Sequence, residues 1–424
     1  MDIHVVRPGD TLYSIAQQYG VSMARLLEDN DPPDPARLSV GQTLVVRYPK
    51  QVYRVRSGDT LSSIARAHGL TVRQMWQRNP GLGGGSPIYP GQELVLSYRQ
   101  TPLGKLVAGG YAKPDIDPGL LRSTLPCISD LAPFTYGFTP QGELIALNDA
   151  ALLSAAKSVG VRPWLHLSTL TAAGTFSNQL SHAVFTDLQA QNRLIADLVE
   201  TVRRKGYQGV DVDFEFILPE DANRYPEFIA NLRESFAPLG IPVMVALVPK
   251  TSADQKGDFY QGHNYRLLGA AADYVFLMTY EWGYTYGPPM AVAPLNQVTR
   301  VVDYALSEIP KEKIWMGMPN YGYDWKVPYQ KDTMARSISN QQAIALAQKY
   351  YAAIRFDAAA QSPWFRYVDG DGQEHEVWFE DARSVRAKLE LAHSRGLYGV
   401  SYWNLMRPFP QNWVLLTTLY EIED

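Results

Sequence analysis

The stretch Gln208-Gly209-Val210-Asp211-Val212-Asp213-Phe214-Glu215 decides how this chain is read. Apolar and acidic residues alternate along it. That is the pattern of a β-strand, which sends successive side chains to opposite faces. Val210, Val212, Phe214 and Phe216 are expected on one face, and Asp211, Asp213 and Glu215 on the other. Lining up three carboxylates is costly, and carboxylates are seldom buried without partners. Like charges this close raise the pKa of at least one member, which suits a general acid working near neutral pH. A solvated edge strand would not usually start on an apolar Gly-Val pair. A metal site would want histidines or further carboxylates in the segment, so the strand is read as catalytic, with no metal.

Similar short runs recur outward from this strand. Candidate strands are 106–111, 130–138, 162–169, 209–217, 242–248, 274–280, 314–323 and 399–405, with helical patterns such as 149–159, 187–204, 225–236 and 298–308 between most of them. Alternating strands and helices predict an α/β chain with a parallel sheet, and eight units predict a (β/α)8 barrel. Active sites of such barrels sit at the carboxyl ends of the strands, where Glu215 falls. The gap between the seventh and eighth strands is too long for one helix. A helix at 339–351, strands at 355–357, 364–368 and 374–379, and an Asp369-Gly370-Asp371-Gly372 hairpin turn predict a small α+β insertion at about 327–381. The helix 382–395 follows it.

The first hundred residues repeat. Val6-Arg7-Pro8-Gly9-Asp10-Thr11-Leu12 returns as Val55-Arg56-Ser57-Gly58-Asp59-Thr60-Leu61, Asn30 as Asn79, and Gly41-Gln42 as Gly91-Gln92. Each copy reads strand, helix, helix, strand (βααβ), with Asp10 or Thr11 capping the first helix of copy one. Pro49-Lys50-Gln51 reads as a short link, so the copies are expected to pack rather than swing. The copies resemble the LysM module, over 1–48 and 51–98. The resemblance implies binding of N-acetylglucosamine glycans, peptidoglycan or chitin, in a groove between two loops. Here those loops are Gly9-Asp10-Thr11 with Leu38-Ser39-Val40, and Gly58-Asp59-Thr60 with Ile88-Tyr89-Pro90. Gly-Asp-Thr is also a turn and a helix cap.

From about residue 103 to 424 the chain resembles the family-18 glycoside hydrolases, whose fourth-strand signature is Asp-x-x-Asp-x-Asp-x-Glu. Asp211, Asp213 and Glu215 match its last three acids, and Gln208 replaces the first. Met278-Thr279-Tyr280-Glu281, Gly317-Met318-Pro319-Asn320-Tyr321-Gly322, Trp403 and Gly110-Tyr111 match further strand-end motifs, with Glu281 in place of Asp. The resemblance implies retaining, substrate-assisted hydrolysis without a cofactor. Glu215 would protonate the glycosidic oxygen. Asp213, sharing charge with Asp211, would hold the acetamide N–H, and Tyr280 would donate to the acetamide oxygen. Trp403, Tyr111, Glu281, Asn320 and Tyr321 would bind the sugar. His166 is read as a satisfied buried residue and left out.

Composition fits this reading. The chain has 424 residues, 46% hydrophobic and 19% charged, which suits two or three globular domains. Aromatics reach 12%, enough for sugar stacking or simply a large core. A net charge of −4 argues against a nucleic-acid binder, and the single cysteine, Cys127, excludes an intrachain disulfide. No run is apolar and long enough to span a membrane. A monomer is expected. Two LysM copies ahead of such a barrel resemble the spore cortex-lytic N-acetylglucosaminidases, which implies cortical peptidoglycan as substrate. No secretory signal is visible, which fits deposition in the spore coat or cortex from the mother-cell cytoplasm. A chitinase, or a glycan-binding protein with a silent barrel, are the alternatives.

Overall fold

The computed structural model describes residues 1–171, 173–257 and 259–423. Eight parallel strands close a barrel: Gly104–Ala112, Asp130–Pro133, Arg162–Ser168, Gly209–Asp213, Val243–Leu247, Tyr274–Leu277, Ile314–Pro319 and Gly399–Trp403. The eighth closes on the first, with Gly399 opposite Val107 and Tyr402 opposite Gly110. A short strand, Tyr420–Ile422, pairs in parallel with the start of the first strand, Tyr420 opposite Gly104. Inside the barrel, Tyr111, Trp164, Met244, Phe276 and Trp315 pack with small residues. Gly209 is needed there, because a Cβ would run into the Trp164 ring. Outward-facing Val210, Val212 and Phe214 join the larger core under the helices, where Phe214 stacks on Tyr225 and Phe228.

Several expected strands are too long, three of them in ways that shape the site. The fourth ends at Asp213, so Phe216 leaves the pleat; it is 51% exposed beside Phe259, and Ile217 is buried instead. The segment 130–138 divides into a barrel strand and a separate pairing of Gly137–Phe138 with Leu144–Ile145. The segment 314–323 divides likewise, because Gly322–Val327 turns away into the insertion. The insertion therefore begins earlier than the sequence suggests. It is a five-stranded sheet, Arg336–Ile338, Gly322–Val327, Glu374–Trp378, Ser362–Val368 and Arg355–Asp357 in spatial order, covered by helix Asn340–Lys349. Asp369 Oδ1 accepts from the amides of Asp371 and Gln373, both at 2.9 Å, which is a hairpin turn.

Each N-terminal copy is two helices on a two-stranded antiparallel sheet. The strands are Asp2–Val5 with Thr43–Val46, and Pro49–Arg54 with Glu93–Tyr98. Pro49-Lys50-Gln51 is thus strand rather than link. The repeated residues have structural duties. Thr11 and Thr60 cap helices Leu12–Tyr19 and Leu61–Ala67 in capping boxes with Ser14 and Ser63. Asn30 and Asn79 bind the closing strand through the Val45 and Val95 backbones. Asp10 and Asp59 accept from the Arg7 and Arg56 amides, each at 2.7 Å. The copies also touch: Arg47, ion-paired to Asp29, lies 4.1 Å from the ring centre of Tyr98.

Candidate active site

The carboxyl end of the fourth strand brings the three acids together with residues from its neighbours. Asp211 is fully buried, and Tyr111, on the first strand, donates its hydroxyl to Asp211 Oδ2 at 2.8 Å. The parallel register sets Asp211 beside His166 and Asp213 beside Ser168. His166 Nε2 is 3.4 Å from Asp213 and 3.8 Å from Asp211. Its Nδ1 lies 2.6 Å from the Thr135 hydroxyl, which also donates to Ser168. His166 is satisfied and buried, as the sequence suggests, yet it belongs to the site. Only the cross-strand pairing reveals that. One oxygen of each aspartate, Oδ1, has no hydrogen-bond partner among the described residues.

Burial dominates the electrostatics. It pushes the Asp211 carboxyl up to about 6; His166 and the Tyr111 hydroxyl oppose the rise, and Asp213 adds to it. Glu215 lies two residues past the strand end, and its backbone carbonyl accepts from His263 Nε2 at 2.9 Å. Burial, then the charges of Asp213 and Glu281, push its carboxyl up to about 8. Glu215 therefore holds its proton at neutral pH, as an acid catalyst must. Desolvation and the same carboxylates hold Tyr280 well above the usual phenol range, so it remains a donor.

A cleft of about 830 Å³ opens over these groups. Asp213, Glu215, Tyr280, Glu281 and Trp403 line it together with Phe134, Phe216 and Phe259. Trp403 packs edge-on against Phe134 and Tyr111 at 4.8 and 5.7 Å. A second lobe of about 290 Å³ shares Glu281 and Trp403 with the first and adds Lys113, Asp115, Tyr321, Tyr323 and Arg407. Tyr321 and Tyr323 donate to the Glu281 carboxylate, which opposes the upward shift that burial gives it.

Two expected sugar contacts lie outside the cleft. Tyr111 is 3% exposed and serves Asp211. Asn320 is buried and donates to the backbones of Asn404 and Arg407, so it braces the loop after Trp403. Gln208, which stands where the family signature has Asp, is exposed at the opposite end of the strand. In the modules, Gly9, Asp10, Thr11, Gly58, Asp59 and Thr60 lie on exposed turns. Their second loops differ. The Val40 carbonyl accepts from the Ile354 amide of the insertion, though its side chain is exposed; Leu38 and Ile88 are both half-buried, and Tyr89 is 68% exposed.

Comparison with known proteins agrees with this geometry. Residues 165–407 match the glycosyl hydrolases family 18, and residues 4–47 and 53–97 match the LysM domain. The chain belongs to glycosyl hydrolase family 18 and is a glycoside hydrolase with two LysM modules. It is similar to the cortical fragment-lytic enzyme of Bacillus subtilis (strain 168), 39% identical over 100% of this chain and 99% of the relative. The crystal structure of the Bacillus cereus spore cortex-lytic enzyme SleL is also similar. Its TM-score is 0.84 at 36% identity, over 100% of this chain and 98% of that one. A chitinase from Chromobacterium violaceum matches 74% of this chain and 99% of its own, at 28% identity and a TM-score of 0.69. Among the described residues no helix is long and apolar enough to cross a membrane.

Proposed function

We propose that this hydrolase cuts spore-cortex peptidoglycan, or fragments of it, after N-acetylglucosamine, and that it acts in the spore, deposited from the mother cell. The observation that carries the catalytic part is the placement of Glu215 in a cleft with Asp213 and Tyr280, where burial and neighbouring carboxylates push its carboxyl up. Glu215 protonates the glycosidic oxygen. The substrate's acetamide oxygen attacks the anomeric carbon and displaces the leaving sugar, giving an oxazolinium ion. Asp213 and Tyr280 line the cleft; Asp213 accepts the acetamide N–H, and Tyr280 donates to the acetamide oxygen. Tyr111 and His166 hold the Asp211–Asp213 pair. Water, deprotonated by Glu215, opens the ring with retention. Because Glu215 must be protonated, log kcat/KM is expected to fall with slope −1 as pH rises through about 8. A pH–rate profile flat to pH 9.5 sinks the assignment.

The full-length likeness to cortical fragment-lytic enzymes supports the cortex as substrate. Chemistry adds to it. The second lobe shares Glu281 and Trp403 with the cleft but is not lined by Glu215, and it is assigned the sugar preceding the cleaved residue. Among the described residues the Arg407 guanidinium makes one hydrogen bond, from Nη1 to the Ile338 carbonyl at 2.7 Å, and Lys113 lines the same lobe. Asp115 and Glu281 are the opposing charges. Chitin carries no anion for these cations; the 3-O side chain of a muramic residue ends in a carboxylate. Arg407→Ala is expected to lower kcat/KM about tenfold more on a muramic-acid tetrasaccharide than on an N-acetylglucosamine tetramer. Equal losses on both would remove this support. A muramic lactam lacks the free acetamide and so cannot be the residue whose bond is cut.

The likeness to a chitinase favours chitin oligomers as the second reading. Mass spectrometry of products from cortex fragments and chitin oligomers, digested in parallel, separates the two. New N-acetylglucosamine reducing ends from cortex material support the proposal. Cleavage of chitin alone makes the protein a chitinase.

A further inference from the structure

The two LysM modules place equivalent groove loops in different surroundings. In the first module, the Val40 carbonyl accepts from the Ile354 amide of the insertion at 2.8 Å. Arg383 Nη2 donates to the Gly41 carbonyl at 3.2 Å. Gly41, at φ +86°, touches the Ile354 backbone so closely that a Cβ would overlap the Ile354 carbonyl oxygen. Gln348, on the insertion helix, donates to the Arg37 and Asp34 carbonyls at 2.6 and 3.2 Å, just before this loop. Gln411, at the start of the last helix, donates to the Thr43 carbonyl and Asn30 Oδ1 at 2.6 and 2.9 Å. Gly41, Gln42 and Thr43 are all buried.

The second module presents the same loop to solvent. Gly91, at φ +90°, has nothing within 4 Å of a built Cβ. Gly91 and Glu93 are exposed, and Tyr89 is 68% exposed. This module holds the barrel through its other side. Arg73 donates to the Pro126 and Ile128 carbonyls at 2.9 and 2.6 Å, and Gln77 to Pro126 at 2.8 Å. The glycine-rich turn is tied down as well: Trp76 Nε1 donates to the Gly85 carbonyl at 2.8 Å, and Arg122 Nε to Gly83 at 3.1 Å. Arg47 of the first module, packed on Tyr98, ties the two modules together.

We propose that the modules have divided roles: the second binds the N-acetylglucosamine glycan between Gly58-Asp59-Thr60 and Ile88-Tyr89-Pro90, while the first is a brace whose second groove loop is committed to the insertion. The inference rests on the modules being glycan-binding. A glycan in such a groove is held by loop backbone groups and by an apolar ring against its face. In the first module the Val40 and Gly41 carbonyls are already engaged by protein donors, and Ser39 occupies the position of Tyr89. The brace fixes the open groove relative to the cleft, so a chain held at one is concentrated at the other.

Hydrogen exchange of the full-length Glu215→Gln chain, titrated with an N-acetylglucosamine hexamer, tests this. The expected result is slower exchange in 56–62 and 86–92, and none added in 7–13 and 36–42. Tyr89→Asp in the same background raises the half-saturating concentration for this protection about tenfold or more, while Val40→Asp leaves it unchanged. Protection at the cleft, 209–217, is read separately and shows that each variant is folded and binds through the barrel. Equal protection of both modules, or a loss with Val40→Asp matching that with Tyr89→Asp, overturns the division of roles. Protection at the cleft with none in either module overturns glycan binding by the modules while leaving the catalytic assignment standing.

Discussion

Glu215→Gln is expected to lower kcat on cortical fragments about 10³-fold while changing KM by less than about threefold, because it removes the proton donor and keeps the shape of the side chain. Steady-state kinetics by reducing-end assay measures it. Retention of a tenth of the activity would mean that another group is the acid. The same substitution has a signature in stability. A free glutamate ionises near 4.5, whereas the folded protein keeps the Glu215 proton up to about 8. Between those values the folded state binds more protons than the unfolded chain, so stability falls as pH rises through the window. The cost of burying this carboxyl is fully absent below 4.5 and fully present above 8. Glu215→Gln removes it. The variant is therefore expected to be more stable than the parent at pH 8, by on the order of 3 kcal/mol, and to show little advantage at pH 4. Denaturant unfolding at the two pH values reads this; an equal difference at both contradicts the raised pKa.

Asp213→Asn is expected to lower kcat about 10²-fold. Its carboxylate lines the cleft, where the acetamide N–H is to be received. An amide can turn a donor toward that N–H, so the acetamide loses its orientation for attack on the anomeric carbon. The loss should fall on kcat more than on KM, since the contact strengthens as positive charge develops on the acetamide. Asp213→Asn also removes one of the charges that raise Glu215, so the alkaline limb of the pH profile should move to lower pH. If kcat falls and the limb stays in place, Asp213 and Glu215 are not coupled.

Much of this was legible in the sequence where the determinants are local. Helices Leu12–Tyr19 and Ala382–Arg395 begin and end where the sequence places them, because Thr11 and Asp381 cap them and Gly20 and Gly396 close them in left-handed turns. The Asp211-x-Asp213-x-Glu215 spacing brought the acids together without any tertiary information. What escaped depends on partners far away in the chain. Alternation continues past Asp213, but pairing with neighbouring strands does not, so Phe216 turns outward. Pro49-Lys50-Gln51 resembles a link until Ser97 and Tyr98 pair with it. His166 gives no sign of function until the register sets it opposite Asp211. Tyr111 and Asn320, expected at the sugar, belong one layer deeper, and only the packing against Asp211 and the Asn404 backbone shows that.

The central claim is hydrolysis by Glu215 with the substrate's own acetamide as nucleophile. Proton NMR over the first minutes of digestion of a cortical tetrasaccharide containing muramic lactam tests it most directly, because it reads both the sugar and the anomer at the new reducing end. The expected first product ends in β-N-acetylglucosamine and equilibrates to the α form only later. A reducing end on a muramic residue, or an α-anomer appearing first, would contradict the claim.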